Sequence, residues 1–390
     1  MAESTWIPIR KRIFSHEELC SDSSIRPIGF LDYQNWGKTH SWYQAVKRMP
    51  ISAPDRLTIK DILLRPTYFA AYELADPWVI TFRWPHGELK YFLITAEGNL
   101  VDPAENAIWD GAFPFLYRFD GGELKGLSIP NSVAYLPNSN WAWYQSNANY
   151  AHFLFDAFVQ LAMAQDHLRK EYLSGFDLPL HEDVPAWQDE LLQKLPFRHL
   201  IPPGANKSNQ FNIFRVNKIL LPIVSQRALA LDWLREFLAN SFQDSYPQGY
   251  SGGGGKLIMV TRRDYRRARI QNISAIEEMV VELGGSLVDA SILNCAEKLA
   301  VFENCSICIA ESSGCMNSAL FAPKHNRIIA LTDPSVINTN FIVGAWPYFT
   351  GYAPRAHFIA GENGVHLPGS PVGSSSYSLE AIKHYIVEAL

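Results

Sequence analysis

The 390-residue sequence predicts an α/β protein whose C-terminal half is a Rossmann-like domain, and three observations carry that expectation. From Lys256 onward, short apolar runs alternate with amphipathic stretches of about ten residues, the pattern of βαβ units on a parallel sheet. Hydrophobic residues make up 47% of the chain and charged residues 19%, a balance that buries a core and excludes disordered, collagen-like and coiled-coil chains. The length suits two domains at roughly 150 residues each. The expected division is an N-terminal domain over 1–225 and a Rossmann-like domain over 226–375. A terminal helix, 376–390, is expected to pack back on the N-terminal domain.

Taken in order, the first 130 or so residues hold short β-like runs broken by Pro and Gly turns, and no topology follows from them. Trp78–Arg83 is one such run, and Leu89–Leu100 followed by Val101-Asp-Pro103 reads as strand, turn, strand. A helix is expected from near Tyr150 to beyond His167. A second covers Ala228–Phe242, with Leu229, Leu231, Trp233, Leu234 and Phe237 on one stripe. Then come strand Leu257–Thr261, helix Ser274–Leu283 stopped by Gly284-Gly285, strand Ser286–Asp289 and helix Cys295–Asn304. Strand Ser306–Ala310, a helix start at Ser313–Phe321 and strand Arg327–Leu331 complete the series.

A net charge of −5 argues against a dedicated nucleic-acid binder. Aromatics at 13% suit sugar or nucleobase contacts and equally suit cores. The five cysteines are odd in number, which favours a reducing compartment over a disulfide framework. Cys305 and Cys308 read as core thiols, because no second C-x-x-C or paired His completes a zinc site. Met1–Phe14 lacks an apolar signal core, and no run approaches the ~18 apolar residues of a membrane helix. A cytoplasmic protein is the expectation. Ser251-Gly-Gly-Gly-Gly-Lys256 precedes a strand where a phosphate loop would follow one, so it reads as a linker.

Three segments can carry chemistry. Thr261–Arg269 sets five arginines within eight residues just beyond a strand's carboxyl end, where open α/β sheets bind ligands. Guanidinium forks match phosphate oxygens, which points to Arg262 or Arg263 as an anion contact; a solvated basic loop is the plainer alternative. Glu311-Ser-Ser-Gly-Cys-Met-Asn317 follows another strand and opens a helix. It reads equally as a ligand loop, with Glu311 suited to a ribose or sugar hydroxyl, or as an ordinary cap by Ser312 or Ser313. In Asn149-Tyr-Ala-His-Phe-Leu-Phe-Asp156, His152 and Asp156 stand four apart on one helical face. They read as a general base and its orienter or as an ordinary hydrogen-bonded pair.

The three segments together resemble glycosyltransferase family 61. Asn149–Asp156 resembles that family's N-Y-x-H-W-L-x-D segment. Met259–Asp264 with Arg269-Ile-Gln-Asn272 resembles its S-R-R-x-A … R-x-I-x-N segment. Ile309–Asn317 with Ala319-Leu-Phe-Ala-Pro323 resembles its G-x-H-G-A-G-L-x-N-x-x-F-A-P loop. The likeness spans Asn149 to Leu331. It implies a GT-B-like α/β fold of two Rossmann-like domains facing a cleft, with 1–225 on the acceptor side and 226–375 binding a nucleotide-sugar.

The resemblance further implies an inverting, metal-independent transfer from a nucleotide-sugar donor to an oligo- or polysaccharide acceptor, in bacterial surface or capsular polysaccharide synthesis. No cofactor is expected beyond the donor itself, a UDP-sugar, and nucleic acid is not an expected partner. Peripheral association with polysaccharide assembly machinery at the inner face of the membrane is the expected setting. His152 and Asp156 are the implied catalytic pair. Arg262, Arg263, Arg269, Asn272, Glu311, Ser313, Gly314 and Asn317 are the implied donor-binding residues. Phe153 stands where the family carries Trp, and Ser312-Ser-Gly-Cys-Met316 replaces His-Gly-Ala-Gly-Leu, removing a loop histidine. That altered loop keeps a second reading open, a catalytically inactive glycan- or nucleotide-binding protein on the same fold. A dinucleotide oxidoreductase is disfavoured because no strand is followed by G-x-G-x-x-G.

Overall fold

The computed structural model describes residues 5–13, 15–32, 68–83, 89–101, 117–120, 123–129, 133–143, 153–180, 184–202, 211–224, 227–245, 255–261, 270–311, 314–323, 325–333, 356–365 and 374–389. They fall into two compact units, one drawn from residues up to 33 and from 68–225, the other including 226–390.

The first unit opens with β1 (Thr5–Pro8), β2 (Lys11–Ile13), α1 (His16–Ser21), β3 (Ile25–Asp32), β4 (Tyr68–Ala75) and β5 (Trp78–Arg83). It continues with β6 (Leu89–Ile94), β7 (Asn99–Val101), β8 (Tyr117–Asp120), β9 (Glu123–Ile129) and β10 (Val133–Ala142). A π-helix (Phe153–Phe158) then runs into α2 (Val159–His167), followed by α3 (Lys170–Leu173), β11 (Asp177–Pro179), α4 (Ala186–Leu192), β12 (Arg198–Leu200) and β13 (Phe211–Val224).

β12, β11, β10 and β13 lie side by side in that order and all parallel. The other edge of the long β13 pairs antiparallel with β5 through Phe211–Arg215 and with β4 through Lys218–Val224. The segment that reads as irregular in sequence is therefore an antiparallel meander, with β5, β6 and β7 paired in succession. β4 shows why its sequence lacks alternation: Phe69, Ala70, Ala71, Tyr72 and Leu74 are all fully buried, so both faces of the strand are covered.

Glu73 is the polar exception on β4, only 7% exposed. Its carboxylate accepts from Tyr172 Oη at 2.7 Å, Arg26 Nη2 at 2.9 Å and Lys218 Nζ at 3.2 Å. Burial alone would raise its pKa, but the hydrogen bonds from Tyr172 and Lys218 and the charges of Lys218 and Arg26 outweigh it and hold the carboxyl below its ordinary value. Replacing Glu73 with Ala is expected to cost about 2 kcal/mol, moderated because the Arg26 and Lys218 heads reach water. A depressed folded pKa means the contribution is complete above the unfolded value and is lost as pH falls through the folded one. Urea titrations of wild type, Glu73→Ala and Glu73→Gln at neutral and acid pH check both points. Equal acid sensitivity in the two proteins would contradict the role given to this carboxylate.

The second unit begins with α5 (Arg227–Phe242) and β14 (Leu257–Val260), then α6 (Ile273–Glu282), β15 (Ser286–Val288), α7 (Cys295–Phe302) and β16 (Ile307–Glu311). A 3₁₀ helix (Gly314–Phe321), β17 (Arg327–Thr332), β18 (Ala356–Ala360), β19 (Glu362–Val365), β20 (Ser374–Ser376) and α8 (Leu379–Ala389) follow. Five strands form one parallel sheet in the order β15-β14-β16-β17-β18. β14 and β16 are continuous apolar runs because helices cover both faces of such a sheet. α6 stops where the sequence says: Gly284, at φ 77°, donates to Val281 O and Gly285 to Val280 O, the paired bonds of a Schellman end. Gly285 has a second reason to lack a side chain, since a Cβ there would come within 2.8 Å of Leu257 Cγ on β14.

Ile382 and Ile386 of α8 are fully buried in the second unit's core with Ile276, Met279, Ile329 and Ile359, because the helix presents these two residues, four apart, to the sheet and α6. Cys305 and Cys308 are buried and not in disulfides, as the core-thiol reading has it, and Cys305 Sγ donates to Ile307 O at 3.3 Å. Among the described residues no helix is long and apolar enough to cross a membrane.

Candidate active site

Both sheets contain a point where the strand order reverses. In the first unit the chain lays down β10, β11 and β12 outward on one side and then returns to place β13 on the other side of β10, a 3-2-1-4 order. In the second it lays down β14 and β15, then returns to place β16 beside β14, a 2-1-3-4-5 order. Connections leave on opposite sides at such a point, opening a crevice outside the strands' carboxyl ends where ligands bind. The three chemistry-bearing segments are the continuations of β10, β14 and β16, the strands that flank these points.

After β10 the chain leads to Asn149–Asp156. His152 lies outside the described residues. Asp156 falls within the π-helix, and the description of its side chain lies outside them too. The α-helical periodicity expected here is corrected from Phe153 to Phe158, where the backbone closes i→i+5 rings, a geometry frequently found at functional sites. Phe153, Leu154, Ala157 and Phe158 are buried. Phe153 stacks on Phe158 at 6.0 Å between centroids and meets Trp187 edge-on at 5.1 Å, so this side chain fills core.

After β14, Thr261 is buried and donates its N–H to Val288 O at 2.8 Å. Arg262, Arg263 and Arg269 lie outside the described residues. Asn272 is described, and both ends of its amide are bonded to the backbone of Tyr377. After β16, Glu311 is half-buried at the strand's last position. Ser313 lies outside the described residues, while Gly314 opens the 3₁₀ helix where an α-helix start is expected. Asn317 and Ser318 on that helix are buried, and Phe321 at its end lies under the Lys298 ammonium, 5.6 Å from the ring centre.

Sequence reasoning misses a further polar cluster at this edge. Asp333, one residue past β17, is buried and accepts a hydrogen bond from Ser375 Oγ. Tyr377 is buried beside it. Desolvation raises its phenol pKa, and the carboxylates of Glu311 and Asp333 push the same way. Asp333, Ser375 and Tyr377 carry no local motif; long-range bonds join them to the site, such as those between Asn272 and Tyr377 across 105 residues of chain. Among the described residues no three metal-ligating side chains cluster.

Residues 150–329 match the family model described as Glycosyltransferase 61. Over these residues, a little under half of the chain, the match supports a glycosyltransferase of family 61. No curated protein matches the chain. The matched span begins within the segment after β10, crosses β11–β13 and the whole β14–β16 region, and ends inside β17. A family 61 glycosyltransferase acts on a sugar donor and a glycan acceptor, and this span contains every arginine, carboxylate and imidazole singled out in the sequence.

Proposed function

We propose that this family 61 glycosyltransferase is an inverting, metal-independent enzyme that moves a sugar from a UDP-sugar to a growing bacterial surface or capsular polysaccharide. The observation that carries the reading is the placement of the motif segments on the strands beside the two crossover points. In this reading the units form a GT-B pair, with 1–225 presenting the acceptor and the sheet of 226–375 holding the donor. The enzyme works in the cytoplasm, peripherally at the inner face of the membrane.

His152 or Asp156 removes the acceptor hydroxyl proton as that oxygen attacks the donor's anomeric carbon. The new C–O bond forms on one face while the bond to the diphosphate oxygen breaks on the other, inverting the configuration. The nucleoside diphosphate leaves with the bonding electrons, and the base later releases its proton to water. Arg262 and Arg263 neutralise the charge that develops on the departing phosphate, supplying by fixed cations the stabilisation such leaving groups need. Arg269, Glu311, Ser313, Gly314 and Asn317 make up the rest of the donor side, with Glu311 suited to hydroxyls, while Asn272 stands beside them with its amide bonded to Tyr377.

A thermal-shift screen against UDP, CMP, GDP and their sugar conjugates, with and without EDTA, tests the donor side. A ligand at about 100 times its Kd adds roughly 2.7 kcal/mol of stability. The expected result is a shift selective for UDP and unchanged by EDTA; proton NMR of the product made from a matched UDP-sugar should then show the opposite anomeric configuration. Retention, or a shift abolished by EDTA, would defeat the corresponding half of the proposal.

A further inference from the structure

Asn272 occupies the position before α6 where an asparagine ordinarily caps its own helix, yet its side chain makes no capping bond. Its amide turns instead to Tyr377: Nδ2 donates to the Tyr377 carbonyl at 2.7 Å, and Oδ1 accepts the Tyr377 N–H at 3.0 Å. Gln271 is bound to the same segment. Its backbone N–H donates to Ser375 O and its Nε2 to Ser374 O, both at 2.9 Å, while Ser376 Oγ donates to its Oε1 at 3.0 Å. Ile270 completes the seam with a parallel bridge to Ser375.

The strap formed by 374–377 is itself held from several directions. Ser375 Oγ is bonded to the buried Asp333 carboxylate beyond β17. Gly361 faces the strap so closely that a Cβ there would overlap Ser375 Cβ. Beyond Tyr377, Ser378 O accepts from Ile382 N and opens α8, which is anchored in the core through Ile382 and Ile386. Arg269 immediately precedes Ile270 in the chain, so the arginine-bearing stretch 262–269 is bounded by the sheet at Thr261 and by this strap at 270–272.

We propose that Asn272, assisted by Gln271, is a positioning residue for nucleotide binding: its two-bond clamp on Tyr377 fixes where the arginine-bearing stretch re-enters the fold. The inference rests on the donor reading above. A guanidinium fork meets phosphate in a narrow geometry, and a misplacement of about 1 Å can cost up to ~10²-fold. Asn272 then serves the donor without touching it.

Calorimetric titration of UDP into the full-length protein tests this, comparing wild type with Asn272→Ala, Gln271→Ala, Asn294→Ala and the Arg262→Ala/Arg263→Ala double variant, with the Tm of each recorded. Asn294 is the control, because it caps α7 by accepting Glu297 N–H at 2.8 Å and its loss weakens the same unit away from the strap. Asn272→Ala is expected to raise the Kd for UDP about tenfold and Gln271→Ala, on an exposed residue, about threefold, while Asn294→Ala leaves it unchanged at a comparable loss of Tm. If Asn272→Ala and Gln271→Ala both bind UDP as Asn294→Ala does while the arginine variant binds it weakly, the positioning role is overturned and the donor reading stands. If the arginine variant binds UDP as wild type does, or wild type does not bind it, the donor reading fails and takes the inference with it.

Discussion

Replacing Arg262 and Arg263 together with alanine is expected to lower kcat/KM for sugar transfer by about 10²–10³-fold, the loss seen when fixed stabilisers of a developing negative charge are removed. A diphosphate leaving group concentrates charge on oxygens that a guanidinium can approach to roughly 4 Å or less, where one unit pair is worth about 4 kcal/mol at an effective dielectric of 20. Most of that is offset by lost hydration, which is why the expected figure is 3–4 kcal/mol at most for two arginines. Lysine at both positions keeps the charge but not the fork, and should recover only part of the rate. Single-turnover measurement with saturating donor separates binding from chemistry. Full activity in the double alanine variant would show that these arginines are a solvated loop.

The second large effect is expected at the segment after β10. Whichever of His152 and Asp156 removes the acceptor proton should cost about 10²–10⁴-fold in kcat when replaced, as His152→Ala or Asp156→Asn. The other, acting as orienter, should cost less. Added imidazole should partly restore His152→Ala if that side chain is the base, and should leave Asp156→Asn unaffected. The π-helical turn from Phe153 to Phe158 adds a structural reason for the segment's sensitivity: each extra ring atom widens the turn that carries Asp156 while Phe153 and Phe158 stay locked in core. Near-normal turnover in both variants would remove the pair from the mechanism.

The parallel sheet of the second unit was legible because its strands are buried on both faces and its helices are short, so apolar runs and stop signals such as Gly284-Gly285 stand close together in sequence. In the first unit the strand at Trp78–Arg83 and the strand pair from Leu89 were legible, but the topology was not. Its β4 and β5 find their partner in β13, roughly 140 residues later, and nothing local in Tyr68–Ala75 distinguishes a strand covered on both faces from a buried helix. The site divides in the same way. The arginine-bearing stretch and the Glu311 loop announce themselves by composition and by following strands. Asp333 and Ser374–Tyr377 read as ordinary loop residues until Asn272 is seen bonded to Tyr377. An asparagine before a helix suggests a cap, and it is the missing capping bond that shows the amide is employed elsewhere.

The anchoring of residues 270–272 by the strap has a bearing on modularity. Exchanging nucleotide-recognising halves between related transferases is a natural way to change donor choice, and the matched span, which ends inside β17, invites a junction soon after it. A graft ending there would carry the arginines without the chain that bonds Gln271 and Asn272. It would also uncover Ile276 and Met279, which α8 covers through Ile382 and Ile386. The interchangeable piece is therefore longer than the recognisable one and takes in α8 as far as Ile386.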